Sequence, residues 1–444
     1  MLEALNVIME RAVDRGVFKG VSLPNGGPSI SHLFYADDIV FIGEWSEENV
    51  LNLNRILRCF FLCSGLKVNL DKSTLFGAGV SEEHVVNMVS SIRCKAGEFP
   101  FDFLGIPVGS NMKRIKFWKP IVDKFNVKLS GWKAKSLSKA GRVTLAKAVL
   151  GALPIYFLSL FKAPLGVIKE LEKIRKNFVW GLKNGKRNIK WIDWGKMVRP
   201  KRLGGLGIGD IRNLNLALLS KWWWKFKDNK GALWVRVVEA IHKVKNSFLS
   251  FPLNRRVAGI WKDIRGIEKD FSALGMSLLK NLKGVAGSGD KICFWLVNWV
   301  GSGLLKDRFK CLFKVAQNKE AKIMDFMDGA GQFSWLGVWA RNLQQGMEMD
   351  AFVQLINLVN NYNLHNGPDY WVWDNSNNDS LRVSKVRNLL FDAAKKDNDF
   401  LWPFWNNWVP PKINIFGWRA CLNKIPVKFS LAKRGVFISK PFMF

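Results

Sequence analysis

The sequence is poor in the residues that build disulfide frameworks, metal clusters and membrane spans. Its six cysteines, at positions 59, 63, 94, 293, 311 and 421, form no Cys-x-x-Cys pair, and its four histidines lie far apart. We therefore predict buried thiols in a reducing compartment, the nucleus or the cytoplasm, and no secretion, because Glu3 and Glu10 interrupt any signal sequence. The longest apolar run, 148–161, contains Pro154 and is shorter than the roughly 20 residues of a membrane-spanning helix.

Acidic residues are also scarce relative to basic ones. The chain holds 36 Asp and Glu against 68 Lys and Arg, which gives a formal net charge of +32. The imbalance is uneven, since residues 1–110 carry 9 basic and 13 acidic side chains while residues 111–205 carry 24 and 4. A mildly acidic segment followed by a strongly basic one indicates a polyanionic partner such as nucleic acid, with metal ions held elsewhere.

The remaining composition is that of a folded protein. Hydrophobic residues make up 48% of the 444 positions and charged residues 23%, which excludes a disordered chain. At roughly 150 residues per domain, the length predicts about three domains.

An acidic pair interrupts two short apolar runs near the start of the chain. Residues 33–35 and 39–42 are rich in β-branched and aromatic side chains, and Ala36, Asp37 and Asp38 between them are typical of a tight turn. The pattern predicts a hairpin with two carboxylates at its tip. Adjacent carboxylates repel each other unless a cation offsets their charge, and Mg²⁺ is a suitable cation. A purely structural turn is the alternative, because Asp is common in turns.

Further motifs follow this Tyr-Ala-Asp-Asp turn in a fixed order. A lysine-bearing segment lies at 65–73, a second tight hairpin at 103–109, and a basic segment at 131–142, before the stretches 199–207, 218–225 and 408–419. Taken together, these motifs resemble the reverse transcriptase of non-long-terminal-repeat (LINE-type) retrotransposons, particularly the plant kind. The resemblance covers essentially the whole chain.

The resemblance implies roles for particular residues. Asp37 would bind the catalytic Mg²⁺ ions most directly, with support from Asp38, and Lys72 would approach the phosphates of the incoming nucleotide. The 103–109 hairpin would hold the primer end through its backbone. The expected nucleic-acid contacts are Tyr35, Gly105, Trp132, Lys133, Lys135, Lys139, Arg142 and Lys147.

The implied fold is α+β. We expect a partial palm with an antiparallel sheet at 1–110, a basic helical thumb at 111–230, a mixed, mainly helical connecting region at 231–399, and an incomplete zinc-binding-like domain at 400–444. In that last domain only Cys421 is available, so four zinc ligands cannot be assembled and we expect no zinc site.

The implied function is RNA-directed DNA synthesis, with an RNA template and a DNA primer or an RNA–DNA hybrid as partners. In the family, another metal-binding Asp lies upstream of the first helix. We expect an N-terminally truncated palm that does not polymerise alone. A full-length copy of the element's protein is a candidate partner, and no membrane partner is expected.

The alternatives are a non-enzymatic binder of RNA or RNA–DNA hybrid and a relic without a selected role. A group II intron maturase-like enzyme fits less well, because the sequence after 199 follows the retrotransposon pattern.

Local patterns add structural predictions. Helices are expected at 2–13, after an N-cap at Ser46, and at 139–153, where Arg142 and Lys147 would project outward. Residues 289–299 are predicted as an aromatic strand, and 369–373 and 380–384 as a pair of strands. The three tryptophans at 222–224 point in directions about 100° apart around a helix. We therefore expect part of the triplet in the core and the rest against another domain or nucleic acid. The glycines of 204–209 do not have the Gly-x-Gly-x-x-Gly spacing of a dinucleotide-binding loop.

Overall fold

The computed structural model describes residues 2–130, 135–183, 186–187, 190–229, 231–242, 257–328, 332–373, 381–394 and 405–432. The helices in these ranges are α1 (Leu2–Asp14), α2 (Glu47–Ser64), α3 (Glu82–Ile92), α4 (Lys119–Lys128), α5 (Lys139–Ala152), α6 (Ile155–Leu160), α7 (Leu165–Trp180), α8 (Trp194–Val198), α9 (Ile211–Asp228), α10 (Leu233–His242), α11 (Ile260–Ser272), α12 (Leu278–Asn281), α13 (Leu305–Arg308), α14 (Lys310–Val315), α15 (Met347–Asn360), α16 (Val383–Ala393), α17 (Pro411–Cys421) and α18 (Lys428–Ala432). Short 3₁₀ helices lie at Leu70–Lys72, Ile115–Trp118, Lys201–Leu203 and Ile323–Phe326.

The strands form two-stranded pairs. They are β1 (Val21–Ser22) with β2 (Ser29–Ile30), β3 (His32–Tyr35) with β4 (Asp38–Phe41), β5 (Thr74–Phe76) with β6 (Lys95–Gly97), β7 (Phe101–Phe103) with β8 (Ile106–Val108), β9 (Leu182–Lys183) with β10 (Lys186–Arg187), and β11 (Leu282–Val285) with β12 (Tyr370–Trp373). The pair β5 and β6 is parallel, and the other five are antiparallel. The predicted α+β class is confirmed.

The chain forms two compact units. The first comprises residues 1–111 and 229–258, and the second comprises residues 112–228 and 259–444. None of the helices in the described ranges is both long and apolar enough to cross a membrane.

The first unit has its core between α1 and α2. Leu5 and Met9 of α1 are fully buried there, together with Ile56 and Phe60 of α2. Both helices match their predicted positions, and the Ser46 hydroxyl accepts a hydrogen bond from the backbone N–H of Asn49 at 3.2 Å, as expected of an N-cap. The sequence pattern therefore located the scaffold of this unit correctly.

The second unit is organised around α9. This helix packs against α6, α11, α16 and strand β12. Its tryptophan triplet reaches three of these elements. The indole N–H groups of Trp222, Trp223 and Trp224 donate to backbone carbonyls of α6, α11 and β12 respectively, the acceptors being Ser159, Ile264 and Trp371. Trp223 is buried while Trp222 and Trp224 are half-buried, so the prediction that only part of the triplet lies in the core is confirmed. All three indole groups nevertheless bond inside the second unit.

Two predictions for the later chain are wrong. Residues 289–299 form turns with isolated bridges instead of a strand, since Phe294, Trp295 and Trp299 fill a core of packed aromatic rings. Strand β12 pairs with β11, and residues 381–384, the described part of the other predicted strand, form no strand. The described part of that second segment leads into α16, whose apolar side chains, among them Val386 and Leu390, are buried.

The thiols also differ from the prediction. Cys293 is buried, Cys94 and Cys311 are partly buried, and Cys59, Cys63 and Cys421 are exposed. Cys59 and Cys63 are four residues apart in α2, on a face away from the buried side chains of that helix. Hydrophobic composition alone did not distinguish the two faces at these positions.

Candidate metal-binding hairpin and nucleic-acid interface

The predicted acidic turn is the tip of the β3–β4 hairpin. Tyr35 pairs with Asp38, and the two residues between them, Ala36 and Asp37, make the reversal, with Ala36 in the left-handed region at φ 52°. Asp37 and Asp38 are exposed, and neither carboxylate has a hydrogen bond or ion pair among the described residues. The hairpin therefore presents two free carboxylates at its tip, as the sequence predicted.

The two faces of this hairpin have different surroundings. Phe34, Ile39 and Phe41 pack against the core of the first unit, whereas Tyr35 shares the opposite face with Asp38 and is 65% exposed. This alternation holds the backbone of the hairpin against α1 and α2 while its acidic tip and Tyr35 remain accessible.

A histidine fixes the base of the hairpin to α1. One ring nitrogen of His32, Nε2, lies 2.8 Å from the Asn6 side-chain oxygen, and Nδ1 lies 2.8 Å from the Ser31 hydroxyl. Burial lowers the pKa of the His32 imidazole, and the opposing effect of Glu10 is smaller. Both ring nitrogens are engaged, so His32 positions the hairpin and is unavailable as a metal ligand.

The carboxylates suit Mg²⁺ in type but not in number. Mg²⁺ prefers carboxylate oxygens in octahedral geometry, and Asp37 and Asp38 are the residues that would hold it. Within the described ranges, however, no group of three or more His, Cys, Asp or Glu side chains comes together. The hairpin is thus a partial ligand set, and no catalytic step through a metal ion is derived from it.

The other predicted residues of the first unit occupy separate elements. Lys72 ends the 3₁₀ helix Leu70–Lys72, where its backbone N–H donates to the Asn69 side chain at 3.1 Å and its side chain is exposed. Gly105 lies at the tip of the β7–β8 hairpin with φ 75°, next to Leu104 with φ 51°. The hairpin itself is confirmed, while the primer-holding role of Gly105 and the nucleotide-binding role of Lys72 stay predictions.

The predicted thumb residues lie on and before α5. Ser138 caps this helix by accepting from the Gly141 N–H at 3.1 Å, and the buried face consists of Ala140, Val143, Ala146, Val149 and Leu150, as the pattern predicted. Lys135, Lys139 and Lys147 are exposed. Trp132 and Lys133 lie outside the described residues.

Arg142 was predicted to project outward into solvent, but it does not. Its side chain is half-buried, and its Nε atom is buried without a hydrogen-bond partner among the described residues. Burial lowers the pKa of the Arg142 guanidinium. The helical period accounts for this position, because 100° per residue directs Arg142 between Ala146 and Val149, which are buried. Helix α17, from the end of the chain, also packs against α5.

Helix α17 adds a cation that the sequence analysis had not assigned to this place. Arg419 is 7% exposed, and its guanidinium donates to the Lys424 carbonyl oxygen at 3.0 Å. Desolvation lowers the pKa of the Lys139 ammonium, and the positive charges of Arg419 and Arg142 lower it further. The charges of Arg142 and Arg419, on segments almost 280 residues apart, therefore both act on Lys139, and no pattern within either segment could have indicated the effect of Arg419.

The chain is similar to two proteins of Arabidopsis thaliana. The first bears the provisional name of a ribonuclease H protein, and it is 30% identical over 190 residues, which are 42% of this chain and 30% of that protein. The second, an uncharacterized mitochondrial protein, is 28% identical over 151 residues, which are 34% of this chain and 93% of that protein. The chain thus spans less than a third of the length of the first relative. No family model matches. At this coarse level, the similarities are consistent with a retrotransposon-related protein.

Proposed function

We propose that the chain is related to the reverse transcriptase of LINE-type retrotransposons and that it binds RNA or RNA–DNA hybrid through the basic surface of its second unit. The β3–β4 hairpin would contribute Asp37 and Asp38 to the metal site of the polymerase. The observation that carries the proposal is the exposed, unpaired acidic pair at the tip of a hairpin held against α1 and α2.

Charge supports the nucleic-acid part of the proposal. The net charge of +20 over residues 111–205 exceeds what solubility requires, and Lys135, Lys139 and Lys147 present it on and beside one helix. The first relative is named for ribonuclease H, which makes RNA–DNA hybrid the first ligand to test. A ligand of this kind would be held mainly through its phosphates, so binding should weaken steeply with salt.

A non-enzymatic binder is the second candidate function. It is favoured by the partial ligand set, since the described residues bring no third carboxylate, histidine or cysteine to Asp37 and Asp38. Two-metal phosphoryl transfer places metal ions roughly 3.5 to 4 Å apart between shared ligands, and two adjacent aspartates on one turn do not complete such a site. We therefore expect binding without polymerisation by the 444-residue chain.

One pair of assays separates the two candidates. Fluorescence anisotropy with a labelled RNA–DNA hybrid would measure affinity between 50 and 200 mM salt, where about six phosphate contacts imply a loss on the order of 10³. Primer extension on an RNA template with Mg²⁺ would compare the chain with Asp37→Ala and with a control, Asp14→Ala, which removes an exposed carboxylate at the end of α1.

The outcomes are distinct. Salt-sensitive binding without extension supports the non-enzymatic candidate. Extension that Asp37→Ala abolishes and Asp14→Ala retains establishes a complete polymerase site and overturns our expectation. Absence of hybrid binding at 50 mM salt by folded protein rejects the nucleic-acid proposal altogether.

A further inference from the structure

The packing of α17 on α5 creates a cluster of three cations in the second unit. Lys139 and Arg142 lie in the first turns of α5, and Arg419 lies near the end of α17. We call this set, Lys139, Arg142 and Arg419, the cation seam. Its members come from the predicted thumb and from the predicted terminal domain, so the seam exists only in the folded chain.

The seam lacks negative charge. Among the described residues, none of its three side chains forms an ion pair, although Arg419 is 7% exposed. The Nε atoms of Arg142 and Arg419 are both buried without a hydrogen-bond partner in the described part of the chain. Buried guanidinium groups are normally paired, because removing an unpaired charge from water is costly. The Nε atom of Arg175 is also without a partner, but its guanidinium pairs with Glu172. Arg142 and Arg419 have no such carboxylate among the described residues, and an anion in the seam would supply the missing negative charge.

The start of α5 adds to the argument. The N-terminus of a helix carries partial positive charge, and acidic residues usually occupy its first turn. Here no acidic residue is present in the first turn, and Lys139 and Arg142 place two further positive charges there. The lowered pKa of Lys139, caused by desolvation and by the charges of Arg419 and Arg142, is consistent with uncompensated repulsion.

We propose that the cation seam binds a phosphate group of a nucleic-acid backbone. Guanidinium groups match the planar geometry of phosphate oxygens, and Lys139 adds a point charge at the same place. The inference rests on the proposed function, since the nucleic acid delivers the phosphate. It also extends that function, because it makes Arg419 a phosphate-binding residue and gives α17 a part in the interface.

The test compares Arg419→Gln with Lys412→Gln. Both variants remove one positive charge from α17, and Lys412 is exposed and lies seven residues, about 10 Å along the helix, from Arg419. Anisotropy with a labelled RNA–DNA hybrid at several salt concentrations gives the affinity and the slope of log K against log salt. We expect Arg419→Gln to reduce that slope by about one and to weaken binding, and Lys412→Gln to change both less.

Melting temperatures provide the second measurement. Inorganic phosphate should raise the melting temperature of the wild-type chain and not that of Arg419→Gln, because only the former retains the complete seam. Arg419→Lys should retain the salt slope with weaker binding, since it keeps the charge and loses the planar pair of donors. The anisotropy measurements with the hybrid test for a backbone phosphate, and the melting temperatures with inorganic phosphate test for free phosphate.

The failures of the two proposals can be told apart. If Arg419→Gln binds the hybrid with wild-type affinity and slope, the seam is not a phosphate site and the proposed function still stands. If phosphate stabilises the chain through Arg419 but the wild-type protein does not bind the hybrid, the seam binds free phosphate only, and the proposal of a backbone phosphate is overturned together with the proposed function.

Discussion

The guanidinium of Arg175 donates a hydrogen bond to the carbonyl oxygen of Gly209 at 3.1 Å, at a site where Arg175 is fully buried. The same group donates to the Ile208 carbonyl at 3.1 Å and pairs with Glu172 at 2.9 Å. Glu172 in turn accepts from the Ile211 N–H at 2.9 Å. This network fixes the end of the Gly-rich loop, residues 208 and 209, to α7 and to the start of α9.

We predict that Arg175→Met destabilises the second unit by about 3–5 kcal/mol, because it leaves the Glu172 carboxylate without its buried partner. Urea denaturation would measure the loss. The control is Arg202→Met, which removes an ion pair with Asp392 in which both side chains are more than two-fifths exposed and should cost about 0–1 kcal/mol. Equal losses in the two variants would show that the buried network does not hold the loop.

The tryptophans of α9 provide a second prediction. Trp223 is 3% exposed and donates to the Ile264 carbonyl oxygen at 2.9 Å, so Trp223→Ala should lower the free energy of unfolding by about 3–5 kcal/mol. Trp408→Ala is the matched control, because Trp408 is 96% exposed and its removal should change stability by no more than about 0.5 kcal/mol. Chemical denaturation of the two variants measures the difference.

A third variant, Trp222→Ala, tests whether the tryptophan triplet acts in packing or in nucleic-acid binding. If its rings act in packing, hybrid binding by Trp222→Ala at a temperature where the variant remains folded should match the wild type, since its indole N–H donates to the Ser159 carbonyl oxygen at 2.6 Å. A selective loss of hybrid binding with unchanged stability would instead support stacking on nucleic acid.

Local patterns were sufficient where one element determines its own structure. The N-cap at Ser46 and the buried face of α5 follow from short-range spacing, and the acidic tip of the β3–β4 hairpin follows from two apolar runs around a turn. In each case the hydrogen bonds or the helical period involve residues only a few positions apart, so the sequence contains the whole signal.

The same patterns failed where the partner is distant in the chain. Strand β12 pairs with β11, which lies more than 80 residues earlier, and no local period identifies that partner. Arg142 is a different case: it was expected outside, but at 100° per residue it lies between Ala146 and Val149 on the buried face of α5, so its half-buried position follows from the helical period and needs no distant partner. The sequence assigned no role to Arg419, since its position depends on the fold bringing α17 to α5.

The first unit should lose stability as the pH falls, because burial lowers the pKa of the His32 imidazole in the folded state. Protonation then favours the unfolded chain, whose histidine has the ordinary pKa of 6.5. The contribution of His32 is therefore fully present above about pH 6.5 and is lost as the pH falls through the lower folded-state pKa. Burial also lowers the pKa of His242, so this histidine contributes a change in the same direction.

The measurement is the free energy of unfolding between pH 5 and 8 for the wild type, His32→Gln and His84→Gln. His84 is an exposed histidine in the same unit, and its replacement serves as the control. In His32→Gln the free energy of unfolding should depend less steeply on pH, because glutamine can bond to Asn6 without titrating. The pH dependence that remains is due to His242. If the curve of His32→Gln coincides with that of the wild type, the imidazole does not couple the hairpin to pH, and its contacts with Asn6 and Ser31 act only in packing.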